Sequence, residues 1–152
     1  MKGDKLGVDL IATFEGFSSK PYYATAEEKT KNIVTIGYGN TFYPNGKKVQ
    51  ITDKPISKEL AASYLEFTII DFSKKLKITS NVNQNQFNAL VSLAYNIGVT
   101  AFNNSTLLKL VNINPKDGNI AIQFLKWNKQ GGKVLDGLTK RRIKESSLYF
   151  TI

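Results

Sequence analysis

The chain has 152 residues, of which 41% are hydrophobic, and this composition is sufficient for one compact domain with its own core. It contains no cysteine and no histidine, which excludes disulfides, thiol catalysis and any histidine general base or metal ligand. Its 21 basic residues exceed its 12 acidic residues, and the formal charge of +9 favours a polyanionic partner such as nucleic acid, anionic lipid or a bacterial wall.

The first half of the chain predicts a helix, a small sheet and a long helix. Residues 1–7 are polar and lack the apolar core of a signal peptide, and no stretch is long and apolar enough to span a membrane. Apolar residues at helical spacing from Leu6 to Phe14 predict an amphipathic helix that ends near Gly16. Residues 20–49 are rich in Tyr, Thr, Gly and Val, and the Asn45-Gly46 pair within them is typical of a hairpin turn.

The second half predicts helices. A helix of about 20 residues starts near Pro55, with Ser57 as its N-cap and Leu60, Tyr64 and Phe67 on its buried face. Further helices are predicted over 83–97, 105–111, 118–128 and 138–149. The order indicates a single α+β domain, 1–152. A small antiparallel sheet lobe (about 17–56) is joined by the long helix to a mainly helical lobe (about 78–152 plus the N-terminal helix), with a cleft between the two lobes.

Three features could carry chemistry. Glu15 follows Phe14 at a helix end, and a protonated carboxyl beside aromatic rings suits a general acid for glycoside cleavage; the alternative is an ordinary solvated Glu. The run from Thr35 to Thr41 holds two glycines, which indicate either close approach by a ligand or a bend, and it lacks the Lys-Ser/Thr of a phosphate-binding loop. Arg141 and Arg142 are adjacent, so at most one should face inward, where it could pair with a functional carboxylate.

Three collinear stretches together resemble the phage-type lysozymes, a family of endolysins. The stretches are Phe14-Glu15-Gly16 with Pro21-Tyr22 and Thr35–Thr41; Gln86–Gly98 with Phe102 and Ser105–Leu108; and Gly137–Arg142 with Glu145 and Leu148. They cover nearly the whole chain in order. The resemblance implies a lysozyme-like fold and a muramidase that hydrolyses the β-1,4 bond between N-acetylmuramic acid and N-acetylglucosamine.

The family uses a Glu, an Asp or Cys nine positions later, and a Thr in the sheet. The resemblance makes Glu15 the general acid and Thr35 the residue that orients the attacking water. The position between them is Ala24, which has no acid, base or nucleophile. Three interpretations remain open: Ala24 is an inactivating change, Glu27 or Glu28 in a longer loop supplies the carboxylate, or Glu15 works with a placed water alone.

Supporting residues also follow from the resemblance. Arg142, with Arg141 as the alternative, is expected to pair with Glu15, and Thr41, Tyr95 and Ser105 are expected to line the substrate cleft. No metal or organic cofactor is implied. Asn40 stands where several relatives carry a His that pairs with an acid and stabilises the fold.

The expected partner is the glycan strand of peptidoglycan, with no nucleic acid, no stable membrane insertion and a monomeric protein. Such an enzyme is made in the cytoplasm of the bacterial host without a signal peptide and acts on the wall after holin-dependent release. Two other classes remain open. Ala24 favours a catalytically inactive lysozyme-like module that binds wall glycan, and the +9 charge alone favours a basic nucleic-acid binder.

Overall fold

The computed structural model describes residues 5–152, so residues 1–4 of the polar N-terminal segment, and the side chain of Leu6, lie outside the described part. The elements of the first half are α1 (Lys5–Phe14), β1 (Ser18–Tyr22), α2 (Ala26–Thr30), β2 (Thr35–Gly37) and α3 (Lys58–Ser73). Those of the second half are α4 (Gln84–Ile97), α5 (Val99–Asn103), α6 (Thr106–Ile113), α7 (Asn119–Leu125), β3 (Lys129–Gln130), β4 (Lys133–Val134) and α8 (Asp136–Tyr149). The predicted α+β class is confirmed.

The described residues form two compact units. One comprises residues 8–71, and the other comprises residues 5–7 together with 72–152. Most of α1 therefore belongs to the unit that holds β1 and β2, whereas the sequence pattern assigned that helix to the helical lobe. The boundary after residue 71 falls inside α3. The organisation as a single domain stays a prediction.

The unit of residues 8–71 is built around a short antiparallel sheet. Ser18 lies opposite Gly37 and Tyr22 opposite Thr35, with an irregularity in the register between these pairs. Val34, Ile36 and Val49 form its buried apolar cluster, against which Tyr23, Tyr43 and Ile56 pack. Apolar residues just before strand β2, on that strand and on the following loop thus stabilise the sheet on its inner side.

A turn does form at the Asn-Gly pair, but its centre is shifted by one residue. The Gly46 amide donates to the Tyr43 carbonyl at 2.9 Å, so Pro44 and Asn45 are the central residues. Gly46 follows with φ of +84°, a conformation that glycine adopts without strain. An isolated bridge between Phe42 and Lys48 closes the loop instead of two regular strands.

Helix α3 starts as predicted but buries a different face. The Ser57 hydroxyl accepts a hydrogen bond from the Leu60 amide at 3.1 Å, which confirms the N-cap. The buried residues are Ala61, Leu65 and Ile69, whereas Leu60 and Phe67 are exposed. The helix carries apolar residues on all of its sides, so the spacing of these residues alone could not identify the face that packs inward.

The unit that contains α4 to α8 has the four predicted helices, but it also has α5 and the β3–β4 hairpin, which the sequence pattern did not predict. Asn83 and Gln86 form a reciprocal capping box at the start of α4, and Gly98 ends that helix with φ of +97°. Phe87, Leu90, Val91 and Ala94 of α4 are buried, as are the other core residues Phe102, Leu107, Ile120 and Phe124. Helix α8 packs on both α4 and α7. The core of this unit is therefore helix on helix.

Candidate active site

Glu15 lies beside the glycine-containing turn that follows β2. Its amide donates to the Ile11 carbonyl at 3.0 Å, so it sits on the last turn of α1. A β-carbon built on Gly39 would lie 3.8 Å from Glu15 Oε2. The half-buried Glu15 carboxylate thus reaches the Thr35–Thr41 run, although 20 residues or more separate the two in sequence. The fold brings together the two parts of the first resembling stretch.

The two glycines of this run make a bend. Ile36 and Asn40 exchange backbone hydrogen bonds of 2.9 and 3.0 Å across the turn. Gly37 and Gly39 have φ of +65° and +96°, where a β-carbon is strained. A β-carbon on Gly37 would also lie 3.1 Å from Cβ of Ala61. The close approach at Gly37 is therefore made by α3 of the chain itself.

The positions of Thr35 and Ala24 in the fold follow from the pairing of β1 with β2. Thr35 is buried at the start of β2, opposite Tyr22 at the end of β1. Ala24 follows Tyr22 by two residues and is exposed. Position 24 thus lies just beyond the β1 end of the strand pair, and its side chain is a methyl group where the resemblance predicts a carboxylate or thiol.

The longer loop after Ala24 folds into the short helix α2, which the sequence pattern did not predict. Thr25 caps it by accepting a hydrogen bond from the Glu28 amide at 3.0 Å. Glu27 is exposed and pairs with Lys31 at 2.8 Å. Glu28 is half-buried, and its Oε2 atom is buried without a hydrogen-bond donor among the described residues. The two glutamates of this loop therefore differ in environment.

Asn40 forms a neutral contact inside the unit of residues 8–71. Its side-chain amide donates to the Thr68 hydroxyl at 3.0 Å, and that hydroxyl donates to the Tyr64 carbonyl at 3.0 Å. Because neither Asn40 nor Thr68 titrates, this contact contributes no dependence of stability on pH. The sequence alone did not reveal Thr68 as the partner.

Both arginines of the Arg141-Arg142 pair are buried, so the expectation that at most one faces inward is wrong. They are 5% and 0% exposed. Glu145 explains this, because it lies three and four residues further along α8 and accepts contacts from both. Its Oε1 lies 2.7 Å from Arg142 Nε, in an ionic contact that lacks hydrogen-bond alignment, and its Oε2 lies 3.3 Å from Arg141 Nε.

The cluster of Arg141, Arg142 and Glu145 is tied to neighbouring elements. The Ser92 hydroxyl of α4 donates to Glu145 Oε2 at 2.5 Å. Arg142 donates to the Asn96 side-chain oxygen at 2.8 Å and to the Trp127 carbonyl at 3.4 Å. Burial raises the pKa of Glu145 and lowers that of Arg142, because desolvation outweighs their mutual attraction. The Arg-Arg-x-x-Glu spacing was the available sequence signal for this cluster.

The remaining predicted residues occupy varied environments. Ser105 is buried, and its hydroxyl accepts from the Leu108 amide at 3.1 Å while donating to the Phe102 carbonyl at 2.7 Å. The hydroxyl proton of Ser105 is thus already engaged in a hydrogen bond to Phe102, at the N-terminus of α6. Tyr95 is half-buried with its ring edge-on to Phe72, and Thr41 is half-buried after the glycine turn. The substrate contacts of these residues, and the pairing of Arg142 with Glu15, stay predictions.

Residues 5–152 hold neither a candidate metal cluster nor a candidate membrane span. No group of three or more acidic residues there is arranged to hold a metal ion. None of the helices in that part of the chain combines the length and the hydrophobicity needed to cross a bilayer.

Comparison with known proteins gives one family and several close relatives. The family model described as phage lysozyme matches residues 12–145. An endolysin of Bacillus phage B103 is 40% identical over 154 residues, which cover 99% of this chain and 55% of the relative. This chain spans about half the length of that endolysin and of a second one, from Bacillus phage PZA, with 55% of each covered.

Solved structures with a similar fold include an endolysin and a muramidase domain. An endolysin from Escherichia coli O157:H7 phage FAHEc1 superposes with a TM-score of 0.82 at 34% identity, over 99% of this chain and 94% of that chain. The muramidase domain of SpmX from Asticaccaulis excentricus gives a TM-score of 0.80 at 30% identity, over 99% of each chain. The lysozyme-like fold expected from the sequence is confirmed.

Proposed function

This chain belongs to the phage lysozyme family, and on that basis we propose that it is a muramidase. It hydrolyses the β-1,4 bond between N-acetylmuramic acid and N-acetylglucosamine in peptidoglycan. The observation that carries this proposal is the Glu15 carboxylate beside the turn that follows Thr35, because these are the positions at which the family has its acid and its threonine. The similarity to an endolysin and to a muramidase domain supports the same activity.

Glu15 serves as the general acid. Its proton passes to the glycosidic oxygen as the bond to the anomeric carbon breaks, and positive charge develops on the sugar ring. Thr35, fixed in β2, orients the water that attacks the anomeric carbon. The bond to the leaving sugar is replaced by a bond to this water, whose proton must be taken up by a base.

Glu28 supplies the second carboxylate that Ala24 lacks. It is the half-buried glutamate of the loop, and its buried Oε2 has no donor among the described residues, so the side chain can turn towards a substrate without breaking a protein hydrogen bond at that atom. Glu27 is less suited because it is exposed and already paired with Lys31. A carboxylate on this loop would stabilise the positive anomeric carbon and accept the proton of the water.

The substrate is a wall polymer, and the formal charge of +9 favours binding to an anionic wall. The protein acts on the wall as a monomer after holin-dependent release from the bacterial host. The exposed Ala24 supports one other candidate function, a glycan-binding module that does not cut. The two functions differ in whether purified walls lose turbidity.

The test compares three proteins on purified cell walls. We expect the parent to clear the suspension and Glu27→Gln to clear it at the parent's rate. Glu28→Gln should be about 10²-fold slower, because loss of a catalytic base costs at least that much. A parent that binds walls without clearing them would establish the non-cutting module. Equal rates for the two variants would reject Glu28 as the second carboxylate.

A further inference from the structure

The loop that carries Glu28 is held mainly by hydrogen bonds at the two ends of α2. This helix has five residues and no buried side chain, and a helix of this length is not stable alone. At its start, the Thr25 hydroxyl accepts from the Glu28 amide at 3.0 Å. The position of the Glu28 carboxylate therefore depends on how the helix is capped.

The C-terminal cap of α2 acts on Glu28 directly. The Ile33 amide donates to the Glu28 carbonyl at 2.8 Å, and the Asn32 amide donates to the Lys29 carbonyl at 3.1 Å. These two hydrogen bonds are those of a helix end that is closed by a left-handed residue. Glu28 is thus bonded through its amide at one end of the helix and through its carbonyl at the other.

The left-handed residue of this cap is Asn32. Among residues 5–152 it is the one non-glycine residue with a positive φ, which is +54°. Asparagine adopts this conformation more readily than most residues that carry a β-carbon. The Tyr23 hydroxyl adds only a long hydrogen bond, of 3.4 Å, to Asn32 Oδ1. The backbone of this exposed residue therefore keeps the unusual conformation that the cap of α2 requires.

The same cap leads into strand β2. Ile33 comes two residues before Thr35, and Val34 between them is buried. One hydrogen bond and two residues therefore connect the Glu28 backbone to the threonine that is proposed to orient water. A change in the backbone conformation of residue 32 would move Glu28 relative to Thr35 without altering either side chain.

We propose that Asn32 is a positioning residue for Glu28, and that its left-handed conformation keeps the carboxylate where it takes the proton of the water that Thr35 orients. This inference rests on the proposed function, which makes Glu28 the second carboxylate. A base must lie within hydrogen-bond reach of the proton that it accepts, so a displacement of about 1 Å slows the reaction strongly. Asn32 acts through Glu28 and touches no reacting atom.

Two substitutions of Asn32 separate its backbone conformation from its side chain. Alanine is strained at a φ of +54°, whereas glycine adopts it freely. We expect Asn32→Ala to slow clearing at saturating wall concentration about tenfold and to leave the half-saturating concentration unchanged, because the substrate still binds. Asn32→Gly should clear walls at the parent's rate. So should the matched control Asn119→Ala, which makes the same change at an exposed position of helix α7.

Combining Asn32→Ala with Glu28→Gln distinguishes a positioning role from a general loss of structure. If Asn32 acts through Glu28, Asn32→Ala slows the parent about tenfold but does not slow the Glu28→Gln variant further. Asn32→Ala at the parent's rate, equal slowing in both backgrounds, or Asn32→Gly as slow as Asn32→Ala would overturn the positioning role and leave a slow Glu28→Gln variant explained. Clearing by Glu28→Gln at the parent's rate would reject the second carboxylate, and the positioning role with it.

Discussion

Replacing Glu15 by Gln is expected to abolish wall lysis and to leave the fold intact. Gln has the same shape but no acidic proton, so the glycosidic oxygen would leave as an unprotonated alkoxide. General acid catalysis contributes about 10²–10⁴-fold, and the rate of turbidity loss should fall by that factor. Glu15 lies on the last turn of α1 and is only half-buried, so the neutral side chain fits without repacking a core.

Glu66→Gln is the matched control for this experiment. Glu66 is an exposed residue of α3, and the substitution removes the same charge at a position with no proposed role. Glu66→Gln should clear walls at the parent's rate, and both variants should melt within a few degrees of the parent. Lysis by Glu15→Gln at the parent's rate would show that another group provides the proton.

The largest effect on stability is expected for Glu145→Gln. This change removes the carboxylate that the buried guanidinium groups of Arg141 and Arg142 both contact. Breaking a buried ion pair by removing one partner costs about 3–5 kcal/mol of the free energy of unfolding. For a domain of this size the melting temperature should fall by about 10 °C. Thermal unfolding followed by circular dichroism measures the difference.

The same Glu66→Gln variant provides the reference, because an exposed substitution should change the free energy of unfolding by less than about 0.5 kcal/mol. The Glu145 carboxylate also accepts from Ser92 at 2.5 Å, so replacing it by a neutral amide weakens a charge-assisted link between α4 and α8. If Glu145→Gln and Glu66→Gln melted at the same temperature, the buried cluster would not stabilise this unit.

The sequence predicted the elements whose signals are local. Ser57 is the predicted N-cap of α3, and helices were predicted to start at residues 83 and 105, where Asn83 with Gln86 and Ser105 form caps in the structure. Their effect depends on the next three residues alone, so no tertiary structure is needed to recognise them. Helix α2 has five residues and no buried side chain, and a segment this short shows no apolar periodicity.

Features that depend on tertiary packing were harder to predict. The face of α3 follows from the contact of Ala61 with Gly37, which joins elements distant in the chain. Burial of both Arg141 and Arg142 requires Glu145 on the same helix and Ser92 on another. Of the predicted site, the nearness of Glu15 to the glycine turn is visible in the structure. The roles of Thr35, Thr41, Tyr95 and Ser105 stay predictions, since they depend on bound substrate.

The chemical identity of the sugar end released from purified peptidoglycan tests the muramidase most directly. Borohydride converts each new reducing end to an alcohol, which mass spectrometry identifies after digestion. We expect N-acetylmuramitol from the parent and at least about 10²-fold less from Glu15→Gln in the same time, since cleavage leaves muramic acid at the reducing end. N-acetylglucosaminitol, or new free amino groups without any sugar alcohol, would contradict the assignment of this chain as a muramidase.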